Sequence, residues 1–482
     1  MAPEKQKPIT SPTSHPSHGD EEDMHSPSVG WQQLTLGTEC DILAGFGFPE
    51  RFQGKTSGDL PFFKVGDISE TWKRGEVFLT RANHYVSRAE SRELRAKPLP
   101  ENTTVFAKIG AAIALNRRAI LSEPSLVDNN VMGLHPASDK LDYRFLFHFV
   151  CTLRLDELSR ATTVPSIRKS DIEAIMIPVP PLPEQRRIVA EIEKQFTRLE
   201  AGVAALRRVQ ANLKRYRAAV LKAACEGRLV PTEADVAKAE NRKFETGEEL
   251  LARILIERRQ LWQGRGKYKE PAAADTTELG PRPEAWAWAT VEQLCSLVTD
   301  GDHNPPRRHE GGLPHLTAKH VRNWRLDATD CTFISATDAE RVLKRYDPVA
   351  GDLIITCVGT VGRTAIVPSD FRFSPDRNLA AVRLVGGGAS TRYLNVVLSS
   401  PGHQELIKGA SGSTAQPHLY LGDLRALSIP LPPLAEQTRI VAEGERRLSV
   451  VEEIEAVVSA NLQRAGRLRQ SILQKAFSGG LV

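Results

Sequence analysis

Aromatic residues make up only 6% of the 482-residue chain, and no run of apolar residues approaches the ~20 that spanning a bilayer requires. A membrane-embedded class is therefore excluded. The N-terminus lacks the basic stretch followed by an apolar core that marks a secretory signal, so a cytoplasmic address is expected. Cysteine is scarce. Cys40, Cys151, Cys225, Cys295, Cys331 and Cys357 are scattered, with no Cys-x-x-Cys pair and no His at metal-ligand spacing beside them. They read as small buried hydrophobes in a reducing compartment, and no metal site is expected.

Neither sign of charge dominates, with 64 Lys and Arg against 59 Asp and Glu for a net +5. The distribution is uneven, however. Residues 1–28 hold Lys5 and Lys7 against Glu4, Asp20, Glu21, Glu22 and Asp23, a net of −3 that leaves +8 on the remainder. A basic body of this kind is compatible with a polyanionic partner. The same 28 residues are rich in Pro, Ser and His with almost nothing apolar, the composition of a disordered tail. The rest, 41% hydrophobic and 26% charged over the whole chain, is ordinary globular material long enough for two to four domains.

What the sequence does contain is an internal repeat. Ile177-Pro-Val-Pro-Pro-Leu-Pro-Glu-Gln-Arg-Arg-Ile-Val-Ala-Glu191 recurs as Ile429-Pro-Leu-Pro-Pro-Leu-Ala-Glu-Gln-Thr-Arg-Ile-Val-Ala-Glu443, identical at 12 of 15 positions. The match extends upstream, where Thr163-Val-Pro-Ser-Ile167 faces Ala415-Gln-Pro-His-Leu419, and downstream, where Cys225-Glu-Gly-Arg-Leu-Val230 faces Phe477-Ser-Gly-Gly-Leu-Val482. Each copy reads as an α+β globular domain with short β-rich runs, such as Val105-Phe-Ala-Lys-Ile109 and Leu353-Ile-Ile-Thr-Cys357, followed by a helix.

In each copy the Pro-Pro pair ends a strand, and Glu184-Gln185 or Glu436-Gln437 opens the helix, where an early carboxylate suits the helix dipole. Apolar residues then fall at Ile188, Ile192, Phe196, Leu199, Val203, Leu206, Val209, Leu213, Tyr216 and Val220, at spacings of mostly three and four. That spacing predicts a coiled-coil seam. At 1.5 Å per residue, the ~40 residues to Glu226 make a rod of roughly 60 Å. Leu448, Val451, Ile454, Val458, Leu462, Leu468 and Ile472 give the second copy a similar stripe. Equal length, equal pattern and the lack of proline along the stripes favour mutual packing over two separate surface helices. The expected layout is a tail at 1–28, globular domains at 29–182 and 286–433, helices at 183–230 and 434–482, and a helical segment with a Pro-rich linker at 231–285.

Three near-motifs for enzyme chemistry fail on inspection. Gly54-Lys55-Thr56 resembles the end of a phosphate-binding loop, but Pro49 stands where that loop needs glycine. Asn304-Pro305-Pro306 resembles the motif that holds a flipped adenine, yet Arg307 replaces the stacking ring. No strand leads into a convincing Gly-x-Gly-x-x-Gly loop, since Gly386-Gly-Gly388 lies in a turn-like setting. Pro375-Asp376 is not followed by the acidic-x-Lys of a nuclease. His303, His309, His315 and His320 are dense but lack a second ligand set. No catalytic residue and no cofactor are expected.

Basic residues beside turns carry the alternative. The first domain offers Lys64, Lys73, Arg74, Arg81, Arg88, Arg117 and Arg118. The second offers Arg307, Arg308, Lys319, Arg322, Arg363, Arg372 and Arg377. Spread over duplicated domains, they suit phosphate neutralisation with a few contacts to base edges.

The Pro-Pro-Leu-x-Glu-Gln-x-Arg-Ile-Val element, the long helix and the closing Gly-x-Leu-Val resemble the specificity subunits of type I restriction-modification enzymes. The likeness covers nearly all of residues 29–482, including Trp31 and Trp288 as openings of the two domains, Val65-Gly66-Asp67, and Glu245-Thr-Gly-Glu-Glu-Leu-Leu251. One departure is Thr317-Ala318-Lys319-His320, where an echo of Lys64-Val-Gly-Asp67 would stand. The resemblance implies a protein with no active site. Its two target-recognition domains would each read half of a split sequence on double-stranded DNA, joined by two long helices in an antiparallel coiled coil with pseudo-twofold symmetry. Two modification subunits would dock on the helices, and two motor-nuclease subunits would complete the assembly, with no membrane involved. The competing reading is a non-catalytic scaffold whose duplicated domains bind proteins.

Overall fold

The computed structural model describes residues 30–159, 164–264, 266–277, 279–322, 324–412 and 417–482, so the tail expected at 1–28 lies outside the described residues. In chain order the first copy runs β1 (Gln32–Thr35), α1 (Leu36–Glu39), β2 (Cys40–Ala44), β3 (Leu60–Phe63), α2 (Val65–Lys73), β4 (Phe78–Leu79), β5 (His84–Val86), α3 (Arg88–Glu93), β6 (Thr104–Ala107), β7 (Arg118–Leu121), β8 (Leu126–Val127), β9 (Val131–Pro136), α4 (Tyr143–Val150), α5 (Lys169–Glu173), β10 (Met176–Val179) and α6 (Leu182–Cys225). Helices α7 (Glu233–Ala239) and α8 (Gly247–Gln260) follow. The second copy runs β11 (Ala287–Thr290), α9 (Val291–Leu294), β12 (Cys295–Asp300), β13 (Leu313–Leu316), β14 (Val321–Arg322), β15 (Arg325–Leu326), β16 (Thr332–Ile334), α10 (Ala336–Val342), β17 (Leu353–Thr356), β18 (Thr364–Ile366), β19 (Ser374–Pro375), β20 (Leu379–Leu384), α11 (Thr391–Leu398), α12 (Pro401–Ala410), α13 (Leu421–Ala426), β21 (Ser428–Leu431) and α14 (Leu434–Phe477).

The chain divides into two compact units, residues 1–205 with 461–482 and residues 206–460. The first holds a five-stranded sheet in the order β2-β9-β6-β7-β4, a three-stranded sheet β5-β3-β8 and the pair β1-β10. The second repeats this plan as β12-β20-β17-β18, β16-β13-β19 and β11-β21, and adds the hairpin β14-β15. The central strands explain the layering. Successive side chains of a strand face opposite ways, so a strand buried on both faces must be apolar throughout. Val105 of β6 therefore enters the core between the sheets while Phe106 enters the core beneath α4. Ile354 of β17 and its neighbours Leu353 and Ile355 divide in the same way.

Two motifs fix where each helix joins its domain. In the first unit the Trp31 indole donates to Glu184 Oε1 at 3.1 Å, and Gln185 Oε1 accepts from the backbone N–H of Asp142, the N-cap of α4, at 2.8 Å. In the second unit the Trp286 indole donates to Glu436 Oε1 at 3.0 Å, and Gln437 Oε1 accepts from the N–H of Ser390, the N-cap of α11, at 2.9 Å. The repeated Glu-Gln pair is thus a clasp between helix and domain. It also corrects the sequence alignment: the counterpart of Trp31 is Trp286, which directly precedes β11, whereas Trp288 lies within that strand opposite Pro430.

The antiparallel pairing of the long helices appears inside each unit. In the first, Ile188, Ile192 and Phe196 of α6 share a core with Ile472, Leu473 and Ala476 of α14, and Arg469 pairs with Glu200 at 3.1 Å. In the second, Val220, Leu221 and Ala224 of α6 share a core with Ile440, Val441 and Leu448 of α14, and Arg217 meets Glu452 and Glu455, each at 3.5 Å. Val451 and Val458 are buried as expected, and Leu199, Val203, Leu206 and Leu462 are half-buried. Val209, Tyr216, Ile454 and Leu468 are instead exposed, 39–47% in all. A straight helix turns every 3.6 residues, so positions counted at strict three-four spacing drift off a two-helix seam.

Candidate nucleic-acid interface

The basic residues fall on loops and element ends of the two domains. In the first unit Lys73 and Arg74 close α2, Arg81 and Arg88 flank β5, and Arg117 precedes β7. Lys64 caps α2. Its ammonium donates to Gln53 Oε1 at 2.6 Å and lies 5.5 Å from the Phe48 ring centre. In the second unit Arg307 and Arg308 lie between β12 and β13, Lys319 and Arg322 between β13 and β15, and Arg363, Arg372 and Arg377 in the turns around β18 and β19.

Ion pairing separates them into two groups. Arg74 is engaged by Glu76, Lys319 by Asp330, Arg322 by Asp327 and Arg372 by Asp347. Among the described residues, the side chains of Lys73, Arg81, Arg117, Arg307, Arg363 and Arg377 have no acidic partner, and Arg88 meets one only through its backbone N–H, which donates to Asp59 Oδ2 at 2.8 Å. They are therefore the cations least compensated by the protein itself.

Arg118 does not belong with them. It is only 3% exposed at the start of β7, and its guanidinium donates to the carbonyls of Asn116 and Leu153. Burial pulls its pKa below the usual guanidinium value, because the charged form loses hydration. It ties the turn that follows α4 to the sheet and is not available to a ligand.

Each domain also carries a cleft at the same place in its fold, beside the turn that follows the central strand. The first, about 200 Å³, is lined by Ala44, Lys108, Ser166 and Lys169 among others. The second, about 730 Å³, is lined by Asp300, Cys357, His418 and Leu421, together with His303, Arg345, Arg377 and Tyr420. Asp300 is engaged by Arg345 and by His303 Nε2 at 3.0 Å. The His418 and Tyr420 rings lie 4.3 Å apart, and Tyr420 is 61% exposed. No spacing rule in the sequence pointed to these clefts, because their walls come from segments far apart in the chain. Among the described residues, no group of three or more His, Cys, Asp or Glu is placed to hold a metal ion, and no helix is long and apolar enough to cross a membrane.

The family model described as the type I restriction modification DNA specificity domain matches this chain twice, at residues 28–205 and 286–444. The chain belongs to that family. The two matches begin beside Trp31 and Trp286 and run through each clasp into the long helices, so one specificity domain lies in each unit. The EcoBI specificity subunit of Escherichia coli is 24% identical over 463 residues, spanning 94% of this chain and 86% of its own. The EcoKI specificity subunit of Escherichia coli strain K12 is 26% identical over 349 residues, spanning 70% and 65%. A chain solved in work on complex assembly and conformational transition of the type I restriction-modification system shares the fold. Its TM-score is 0.63 at 20% identity, covering 95% of this chain and 100% of that one.

Proposed function

We propose that this chain is the DNA sequence-recognition subunit of a type I restriction-modification complex, non-catalytic in itself. Residues 29–182 and 286–433 act as target-recognition domains, each reading half of a bipartite site. The helices at 183–230 and 434–482 set the spacing between the halves. The observation that carries this reading is the double match to the DNA specificity domain on two units of one topology. The cations without acidic partners supply phosphate contacts, which position the protein on a duplex. Arg74, Lys319 and Arg322 contribute less, because acidic neighbours already hold them.

Two modification subunits are the partners that fit the helices, and two motor-nuclease subunits complete the complex. Support for docking comes from an apolar stripe on the second unit. Val450, Ile454 and Val457 of α14, one helical face by spacing, are 47%, 39% and 59% exposed. Exposed apolar faces of this kind suit a partner helix.

The test is salt-dependent binding to duplex DNA. Neutralising about five phosphates makes log affinity fall with log salt at a slope near −4.5. Affinity that does not respond to salt favours a protein-binding scaffold instead. Incubated alone with methyl donor and DNA, the chain yields no methylated product; with modification subunits, adenine methylation appears at a two-part motif. Inserting seven residues into α6 changes or abolishes the spacer of that motif, and an unchanged spacer refutes the role of the helices.

A further inference from the structure

The two clefts occupy corresponding positions in a duplicated fold, and the comparison between copies separates what holds them from what fills them. The frame is retained down to single hydrogen bonds. The N–H of Asn130 donates to Asp128 Oδ1 at 2.7 Å, and that of Asn378 to Asp376 Oδ1 at 2.9 Å. The N–H of Gly110 donates to the carbonyl of Pro165 at 2.8 Å, and that of Gly359 to Pro417 at 3.1 Å. Ile167 donates to the Lys108 carbonyl and Leu419 to the Cys357 carbonyl, both at 2.9 Å. Gly110 and Gly359 hold φ of +90° and +76°, a region that favours glycine. Gly45 and Gly301 sit where a Cβ would come within 1.9 Å of the Asp128 carbonyl oxygen and 2.4 Å of the Pro375 carbonyl oxygen.

The lining keeps an apolar floor, Ile109 and Ile167 in the first cleft and Val358 and Leu419 in the second, but its polar and charged members are exchanged. Ala44 in the first cleft corresponds to Asp300 in the second, Lys108 to Cys357, Ser166 to His418 and Lys169 to Leu421. The frame residues Gly45, Gly110, Asp128, Asn130 and Pro165 have identical counterparts and Ile167 is matched by the similar Leu419, whereas the lining differs in chemistry at each of these four positions. Duplication followed by drift would change both sets. Retained scaffolding with exchanged contents is what two readers of different ligands of one class require.

We infer that these clefts are the base-edge reading sites of the two domains. This rests on the proposed function and gives it an address. The first cleft presents the ammonium donor of Lys108, suited to acceptor edges such as guanine O6 and N7, with the Lys169 ammonium at its rim, shared with Glu173 Oε1 at 3.6 Å across an exposed pair that a base edge can displace. The second presents Arg377, which has no acidic partner among the described residues, beside the His418–Tyr420 ring pair. A guanidinium reads guanine through two parallel bonds, and the rings offer an apolar face to a neighbouring base.

The experiment maps adenine methylation across a host genome after expression of the full chain with its modification subunits. Lys108→Ala and Lys169→Ala are expected to relax discrimination about ten- to hundred-fold in one half of the motif only. Arg377→Ala and Tyr420→Ala are expected to do so in the other half only. Lys169 and Tyr420 are exposed, so their variants keep the wild-type melting temperature even if Lys108→Ala does not. A motif left intact in both halves, or weakened equally in both, overturns the clefts while the proposed function stands. A wild-type complex that methylates no two-part motif overturns both.

Discussion

The clasp between tryptophan and glutamate is present in both units, but its surroundings differ. Trp286 and Glu436 are fully buried, and Glu436 Oε2 also accepts the N–H of Glu233 at the start of α7 at 2.8 Å. Glu233 is in turn held by Arg439 at 2.7 Å and by Arg242 at 2.6 Å. In the first unit Trp31 is 9% exposed and Glu184 is half-buried, with no such cover among the described residues. The same contact is therefore a sealed network in one copy and an open one in the other. A buried carboxylate contributes only when every partner is kept, whereas a half-exposed one can turn to water.

Breaking the clasp has the largest expected effect. Trp286→Ala should destabilise the second unit by about 4 kcal/mol, since it removes a fully buried ring and leaves Glu436 short of a donor. Trp31→Ala should cost the first unit clearly less, about 3 kcal/mol. Denaturant unfolding followed by a probe in each unit measures the gap, and equal losses would show that the α7 cover adds nothing.

Next comes Phe477, whose ring lies 5.0 Å from that of Phe145 and 5.4 Å from that of Phe149. Half-buried, it should cost about 2 kcal/mol on truncation to Ala, read as lost stability of the first unit alone. Its counterpart by the repeat is the much smaller Cys225, so Cys225→Ala should cost less than half as much in the second unit.

A smaller effect concerns pH. Burial pushes the Glu436 carboxyl above its ordinary value, so the folded form holds its proton more tightly than the unfolded chain. The associated stability is complete below the unfolded value of 4.5 and is lost as pH rises through the folded one. Glu436→Gln should therefore close on the wild type in melting temperature between pH 4 and pH 7. A gap that widens instead reverses the assignment.

Smallest are the ion pairs between the long helices. Arg469 lies 4.2 Å from the Phe196 ring centre as well as beside Glu200, whereas Arg217 meets only carboxylates among the described residues. Arg469→Ala should cost about 1 kcal/mol and Arg217→Ala about 0.5 kcal/mol.

The duplication, the long helices and their mutual packing were legible because they leave linear traces: a fifteen-residue element repeated with 12 identities and a sustained apolar period. The extent of the seam was less so. Ile188 and Ile192 follow the period into the core, but Ile454 follows it onto the surface, since the count of three and four says nothing about how wide a stripe the partner helix covers. The sequence reads Trp288 as the opening of the second domain, matched to Trp31, because two tryptophans stand two positions apart, and only the pairing of β11 with β21 decides between them. Arg118 looked like Arg117 in the sequence. Its burial follows from opening a strand, Arg-Ala-Ile-Leu, that is covered along its whole length. The clefts left no linear trace, because Ala44, Lys108 and Ser166 meet only once the sheet has formed.

The exchange of helix ends has a bearing on how the molecule is made. Ile472, Leu473, Ala476 and Phe477 complete the interior of the domain translated first, yet a ribosome reaches residue 461 only after the 255 residues of the other unit. At about 5 to 20 residues per second, the early domain waits roughly ten seconds to a minute with part of its interior wet.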